Sequence, residues 1–178
     1  MPGQKKAVVW VSTVLYVLIG LAVIGMLLAV LKPKIAEIKD KFITDQTMQS
    51  LNNMDNTILK LRETAGNRFV FPLSLNKGNF VIDGANEKIY WTMISNYQLS
   101  EENTPIQEGR INESTTKVGE LWNITLELNY KYDNVDFIIN GEEKGIKALS
   151  PASTIYKIWI ENKGINQAGK QQIDFKVQ

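Results

Sequence analysis

Val8 to Leu31 reads VVWVSTVLYVLIGLAVIGMLLAVL, twenty-four residues without a charged side chain. At about 1.5 Å rise per residue a helix of this length is roughly 36 Å long, enough to cross a hydrocarbon core of about 30 Å with some tilt. Its interior polar groups are Ser12, Thr13 and the hydroxyl of Tyr16. Ser and Thr hydroxyls can bond back to a carbonyl one turn earlier, so none of the three forces an aqueous face. The run ends in Leu31-Lys32-Pro33-Lys34. A cleaved secretory peptide has a shorter apolar core and a small-x-small site after it, so the segment is expected to stay as a membrane-inserted helix.

Working outward, Pro33 removes one helix hydrogen bond and crowds the preceding turn, which predicts a kink or a helix restart there. Beyond it Ile35, Ile38 and Phe42, then Leu51, Met54, Ile58 and Leu61, recur at helical spacing. They predict an amphipathic stalk helix to about Arg62, closed at Ala65-Gly66-Asn67 by a glycine suited to a left-handed position. The second group is expected to pack on the chain's own sheet, and Ile35, Ile38 and Phe42 between subunits.

From Arg68 the periodicity changes from helix to strand. Strands are expected at Phe69–Leu75, Asn79–Asp83, Lys88–Ile94, Ile106–Ile111, Leu121–Lys131, Val135–Asn140, Thr154–Glu161 and Gln171–Val177, each rich in β-branched or aromatic residues. Asn76-Lys-Gly78, Asp83-Gly84, Asp133-Asn134, Asn140-Gly141 and Asn162-Lys-Gly164 supply turn residues between strands. In Leu121–Tyr130 the residues Trp122, Ile124, Leu126, Leu128 and Tyr130 share one face and Leu121, Asn123, Thr125, Glu127 and Asn129 the other, so this strand buries one side. The expected fold class is α+β: a long N-terminal helix, membrane segment plus amphipathic stalk, followed by an antiparallel β-sandwich or twisted sheet. The corresponding divisions are a basic leader 1–7, a transmembrane or assembly helix 8–31, a stalk helix 32–66 and an extracellular β domain 67–178.

Composition narrows the chemistry. The chain of 178 residues has no Cys and no His. That removes Cys–His and Ser–His catalysis, disulfide frameworks and nearly all zinc sites. Glu101-Glu102 and Glu142-Glu143 lie in polar stretches and read as solvated charge. Asp83-Gly-Ala-Asn-Glu has the oxygens of a Ca²⁺ loop without its spacing, and reads as a hairpin turn. The expectation is a protein that is not an enzyme, with no catalytic residue, no metal and no cofactor. A net charge of +1 argues against nucleic acid as a partner. Trp91, Trp122 and Trp159 are expected in the core rather than on a carbohydrate platform.

Lys5-Lys6-Ala7, followed at once by the long apolar helix, resembles the class III signal of archaeal type IV pilin-like proteins. The resemblance covers about the first sixty residues. It implies that a membrane prepilin peptidase cuts after Ala7, leaving Val8 as the new N-terminus, and that the helix serves first as anchor and then as filament core. Many pilins carry Glu at the fifth mature position, where this chain has Ser12. Orientation is expected to be N-terminus cytoplasmic and β domain outside, supported by two N-glycosylation sequons at Asn112 and Asn123. Among the small residues of the helix, Gly20 and Gly25 are candidate packing positions, and Trp10 a candidate interfacial anchor. The implied function is a structural subunit or minor pilin of a surface filament, with self-association or other pilin-like subunits as partners. The alternative is a non-polymerising, single-pass surface binding protein.

Overall fold

A computed structural model describes residues 3–177, with side chains from residue 10 onward. One helix, α1, runs from Gly3 to Leu61 and passes through Pro33 without interruption. The expected restart at Pro33 does not occur. Proline cannot donate to the carbonyl of Ala29, but Ala29, Leu31, Lys32, Lys34, Ala36 and Glu37 around it are strong helix formers and carry the segment across the missing bond. The chain falls into two compact units, Met1–Lys39 and Asp40–Gln178. In the first, Lys34 Nζ pairs with Glu37 Oε2 at 2.7 Å one turn along the helix.

The second unit begins with the last 22 residues of α1, Asp40–Leu61, and continues into two sheets. Its strands are β1 Arg68–Leu73, β2 Asn79–Asp83, β3 Lys88–Ser95, β4 Ile106–Glu108, β5 Ile111–Val118, β6 Leu121–Asn129, β7 Val135–Ile139, β8 Glu142–Glu143, β9 Ile146–Leu149, β10 Tyr156–Ile165 and β11 Gln171–Val177. The first sheet has the order β1-β10-β11-β7-β8, the second β4-β5-β6-β3-β2-β9. All pairings between these strands are antiparallel except β11 with β7. The fold is α+β, a long helix followed by two predominantly antiparallel sheets.

Both sheets and the helix share one core. Leu51, Met54, Ile58 and Leu61, spaced to recur on one helix face, are buried together with Phe71, Phe80, Trp91, Leu126, Phe137, Ile158 and Phe175 from the sheets. In β6 the alternation holds as read: Ile124, Leu126 and Leu128 face inward, and Tyr130 beyond the strand is buried with them. Tyr130 meets Phe137 of the other sheet at 5.0 Å between ring centroids, and Phe137 meets Phe175 edge-on at 4.8 Å.

Two expectations fail locally. Asn162-Lys-Gly164 is not a turn but a bulge inside β10, where the pairing with β11 shifts register and Gly164 takes a φ of +92°. The bulge serves the helix. Asn162 is fully buried, and its amide donates to the carbonyls of Leu61 at 2.8 Å and Thr64 at 3.1 Å, satisfying acceptors that the end of α1 leaves free. Gly66 is left-handed as expected (φ +83°), yet its N–H donates to the Asn162 carbonyl at 2.8 Å rather than into the helix. The second failure is the stretch expected as one strand, Ile106–Ile111. It is the hairpin between β4 and β5, and β5 continues to Val118.

Polar clamps complete the docking of the helix's last third. Asp40, buried on α1, accepts from Lys77 Nζ at 2.5 Å and from the backbone and side-chain amides of Asn96 at 2.8 and 2.9 Å. Asp55 accepts from the Tyr130 hydroxyl at 2.7 Å and from Arg110 Nε at 3.2 Å, while Arg110 also reaches Asp133. Replacing Asp55 with Ala leaves the buried Tyr130 hydroxyl without its acceptor. The expected loss is about 2–3 kcal/mol in urea unfolding, with Asp55→Asn, which keeps an acceptor, losing less than half as much. Equal losses for the two variants would show that the hydrogen bond to Tyr130 is not what Asp55 contributes.

Candidate functional site

The feature of this chain that most needs a partner is its helix surface. From Trp10 to Leu31 every large apolar side chain is exposed, and even the most sheltered of them, Leu28, is 49% open. A surface of this kind in water costs roughly 25 cal/mol per Å² of apolar area, so a continuous sleeve of Leu, Val and Ile is stable only against lipid or other apolar side chains. The helix is long and apolar enough to cross a membrane. Ile35, Ile38 and Phe42 continue the exposed apolar surface past Pro33, whereas the stripe from Leu51 to Leu61 is buried.

Gly20 and Gly25 lie in the exposed segment, and a Cβ built on either meets no heavy atom within 4 Å outside the helix's own neighbouring backbone. On an ideal helix a separation of five residues is about 140° around the axis, so the two glycines occupy different faces. Ala22, Gly25 and Ala29, by the same geometry, fall within an arc of about 60°. Lys5, Lys6, Ala7 and Val8 belong to helical backbone, but their side chains lie outside the described residues. The outcome for the processing motif therefore rests on the sequence.

The sequon asparagines both project from the outer face of the second sheet. Asn112, on β5, is exposed beside Glu127 of β6. Asn123, in the middle of that sheet on β6, is half-buried between Ile94 of β3 and Thr116 of β5. A side chain hemmed in by two neighbouring strands is the harder of the two for a transferase to reach.

The remaining candidates separate cleanly. Trp91 is wholly buried and its indole N–H donates to the Lys77 carbonyl at 2.9 Å. Trp122 is half-buried, with Lys117 Nζ 5.6 Å from its ring centroid. Trp159 faces outward on the other sheet beneath the Arg68 guanidinium, 4.9 Å away. The three tryptophans thus share no platform. Asp83 closes its turn on itself, its Oδ1 accepting from the amides of Ala85 and Asn86 at 2.9 and 3.1 Å. Among the described residues no group of three or more His, Cys, Asp or Glu is placed to hold a metal ion.

Among the described residues three carboxyls depart from ordinary behaviour, Asp40, Glu113 and Glu161, and none stood out in the sequence; the hydrogen bond from Lys163 lowers the pKa of Glu161. Burial raises the pKa of Asp40, but the hydrogen bonds from Lys77 and Asn96 outweigh it and hold the group below the usual carboxylate range. Glu113 points into the core from β5; burial first, then its bond and charge repulsion with Glu108 and the charge of Asp45, push its pKa up to about 7. The signal that could have found Glu113 is its place at an inward position of β5, two residues after Ile111 and two before the buried Thr115. The chain matches no protein-family model, no curated protein and no solved structure.

Proposed function

We propose that this protein is a structural subunit or minor pilin of a type IV pilus-like surface filament, held in the membrane by its N-terminal helix before assembly. The observation that carries the reading is the division of labour along α1. Asp40–Leu61 gives its apolar stripe to the β domain, whereas the large apolar side chains of Trp10–Leu31 are exposed on every side of the helix. A helix that is apolar all round suits a bilayer first and a bundle of identical helices later, because both environments cover the same surface. The basic pair Lys5-Lys6 before the apolar run supports retention of the tip on the cytoplasmic side and cutting by a prepilin peptidase after Ala7. The β domain then stands outside the cell, where Asn112 is the more accessible sequon.

The test joins processing to assembly. Mass spectrometry of the protein from its native membrane should find Val8 at the N-terminus, and electron microscopy of sheared cell-surface material should show filaments. Gly25→Leu keeps the helix apolar, so membrane levels should be normal, but a branched side chain enters the small-residue arc of Ala22, Gly25 and Ala29 and should abolish filaments. Gly20→Leu lies on another face and tests whether that side packs as well. An N-terminus that still carries Met1 or Pro2, with no filaments from the unaltered chain, would favour a non-polymerising membrane-anchored binding protein instead.

A further inference from the structure

Where the uncharged run of α1 ends, its apolar and basic residues fall into a pattern. At about 100° per residue on an ideal helix, Leu31, Ile35 and Ile38 lie within an arc of about 60°, and Phe42 falls inside it. All four are exposed, from 50% at Leu31 to 69% at Ile38. Lysines flank this stripe on both sides. Lys39 lies about 40° from Ile35 with Lys32 about 20° beyond it, and Lys34 lies about 40° from Ile38 on the opposite flank. All three are exposed. Lys34 pairs with Glu37, but the two side chains are 69% and 40% open to solvent, where such a pair contributes little. Lys32 and Lys39 meet no carboxylate at ion-pair distance among the described residues.

An exposed apolar stripe marks a contact surface, and the charge along its flanks selects what covers it. Laid against the same stripe of a second copy, it sets lysine rows against lysine rows, so a symmetric pairing of copies through this face is opposed. An anionic lipid surface suits both parts. The isoleucines enter the interface, while the lysine stems run over apolar surface and carry their ammonium groups to headgroup phosphates. The stripe also begins where the span stops, at Leu31, so it continues a surface already bordered by lipid. Length gives a further reason. An apolar run of about 36 Å fits a hydrocarbon core of about 30 Å at a tilt of roughly 30°, and a tilted helix lowers one face onto the membrane surface. The lysine-flanked stripe is the face whose chemistry fits that surface.

We infer that α1 leaves the membrane tilted, with Leu31, Ile35 and Ile38 turned down into a layer of anionic lipid headgroups and Lys32, Lys34 and Lys39 holding their phosphates. Ala36, about 160° around the helix from Ile38, is then on the upper side. This rests on the membrane-anchored reading of α1 and not on filament assembly. It puts lipid where helical spacing alone suggested a neighbouring subunit.

The chain has no cysteine, so single nitroxide labels go onto Ile24→Cys, Ala36→Cys and Ile38→Cys in the full chain without any other change. Each labelled chain is reconstituted, dilute in lipid, into vesicles of phosphatidylglycerol and phosphatidylcholine in equal parts. Power-saturation EPR then compares collisions with oxygen, which concentrates in lipid, and with a neutral nickel chelate, which stays in water. The label at position 24 should read hydrocarbon. Ala36 lies about 3 Å nearer the span than Ile38 along the axis, so immersion set by distance alone would favour position 36. Tilt onto the stripe reverses the order: the label at 38 should be shielded from nickel and the label at 36 open to it. Combining Lys32→Gln, Lys34→Gln and Lys39→Gln, or using phosphatidylcholine alone, should move the reading at 38 out to that at 36 and leave position 24 unchanged. A label at 24 open to water would overturn the anchored reading and this inference with it. With position 24 in lipid, the inference alone is overturned by a label at 38 as open to nickel as that at 36, by immersion of 38 that survives loss of the three charges, or by spin–spin broadening at 38, which would put a second copy on the stripe.

Discussion

A chain shortened to begin at Arg62 should lose cooperative folding, while one shortened to begin at Asp40 should stay soluble, strand-rich and cooperative. The 22 residues between these starting points supply Ile43, Leu51, Met54, Ile58 and Leu61 to the core. At about 1.5–3 kcal/mol for each side chain fully buried, their removal takes away on the order of 10 kcal/mol, comparable to the roughly 5–15 kcal/mol that holds a whole domain folded. The damage goes beyond apolar area. Loss of Asp40 and Asp55 strands Asn96 and the buried Tyr130 hydroxyl, and Asn162 loses the Leu61 carbonyl it caps. Circular dichroism and urea unfolding of the two shortened chains check this. The Arg62 chain should bind a hydrophobic dye and unfold gradually; a sharp transition equal to that of the Asp40 chain would mean that the helix lies on the sheets without stabilising them.

Helical spacing identified Leu51, Met54, Ile58 and Leu61 as a stripe for the sheets, and alternation identified the buried side of β6. Both signals are carried by apolar residues at fixed periods, which is the one pattern a single sequence displays openly. Where burial falls on polar residues the signal disappears. The inward positions of β5 after Ile111 are Glu113 and Thr115, so the strand shows no alternation, and Ile106–Glu108 and Ile111–Val118 merged into one short stretch. Asn162-Lys-Gly164 has the residues of a turn because a bulge needs the same conformational freedom. Whether Asn162 faces a helix end or solvent depends on a contact about a hundred positions away in the chain, with Leu61. The apolar sleeve of α1 was legible for the opposite reason: nothing in the fold interrupts it.

Stability should fall as the pH rises from about 5 to about 8, and a single substitution, Glu113→Gln, should remove most of that fall. Glu113 is 5% exposed, with one carboxyl oxygen lacking any partner and the carboxylates of Glu108 and Asp45 close enough to oppose its ionisation. Its pKa in the folded chain is about 7, against 4.5 for a free glutamate. Below the lower value both states hold the proton and the group contributes no pH dependence. Between the two values the folded chain keeps a proton that the unfolded chain has released, so rising pH favours unfolding. Above the higher value Glu113 is ionised in both states, and the folded chain bears the full cost of a charged group in the core, on the order of 3 kcal/mol. Asp40 pulls in the opposite sense, because its lowered pKa contributes stability that is lost as pH falls. Its window lies below the ordinary carboxylate range, so it does not mask the effect of Glu113 at neutral pH. Urea midpoints measured across the pH range for the parent and for Glu113→Gln decide the matter. The amide fills nearly the same space without a charge, so the variant should approach at high pH the stability the parent has at low pH. Glu108→Gln, which removes an opposing carboxylate, should lower the folded-state pKa of Glu113, so that the fall in stability ends at a lower pH and is smaller than in the parent. An unchanged slope in Glu113→Gln, or a variant less stable than the parent near pH 8, would place the source of the pH dependence elsewhere in the fold.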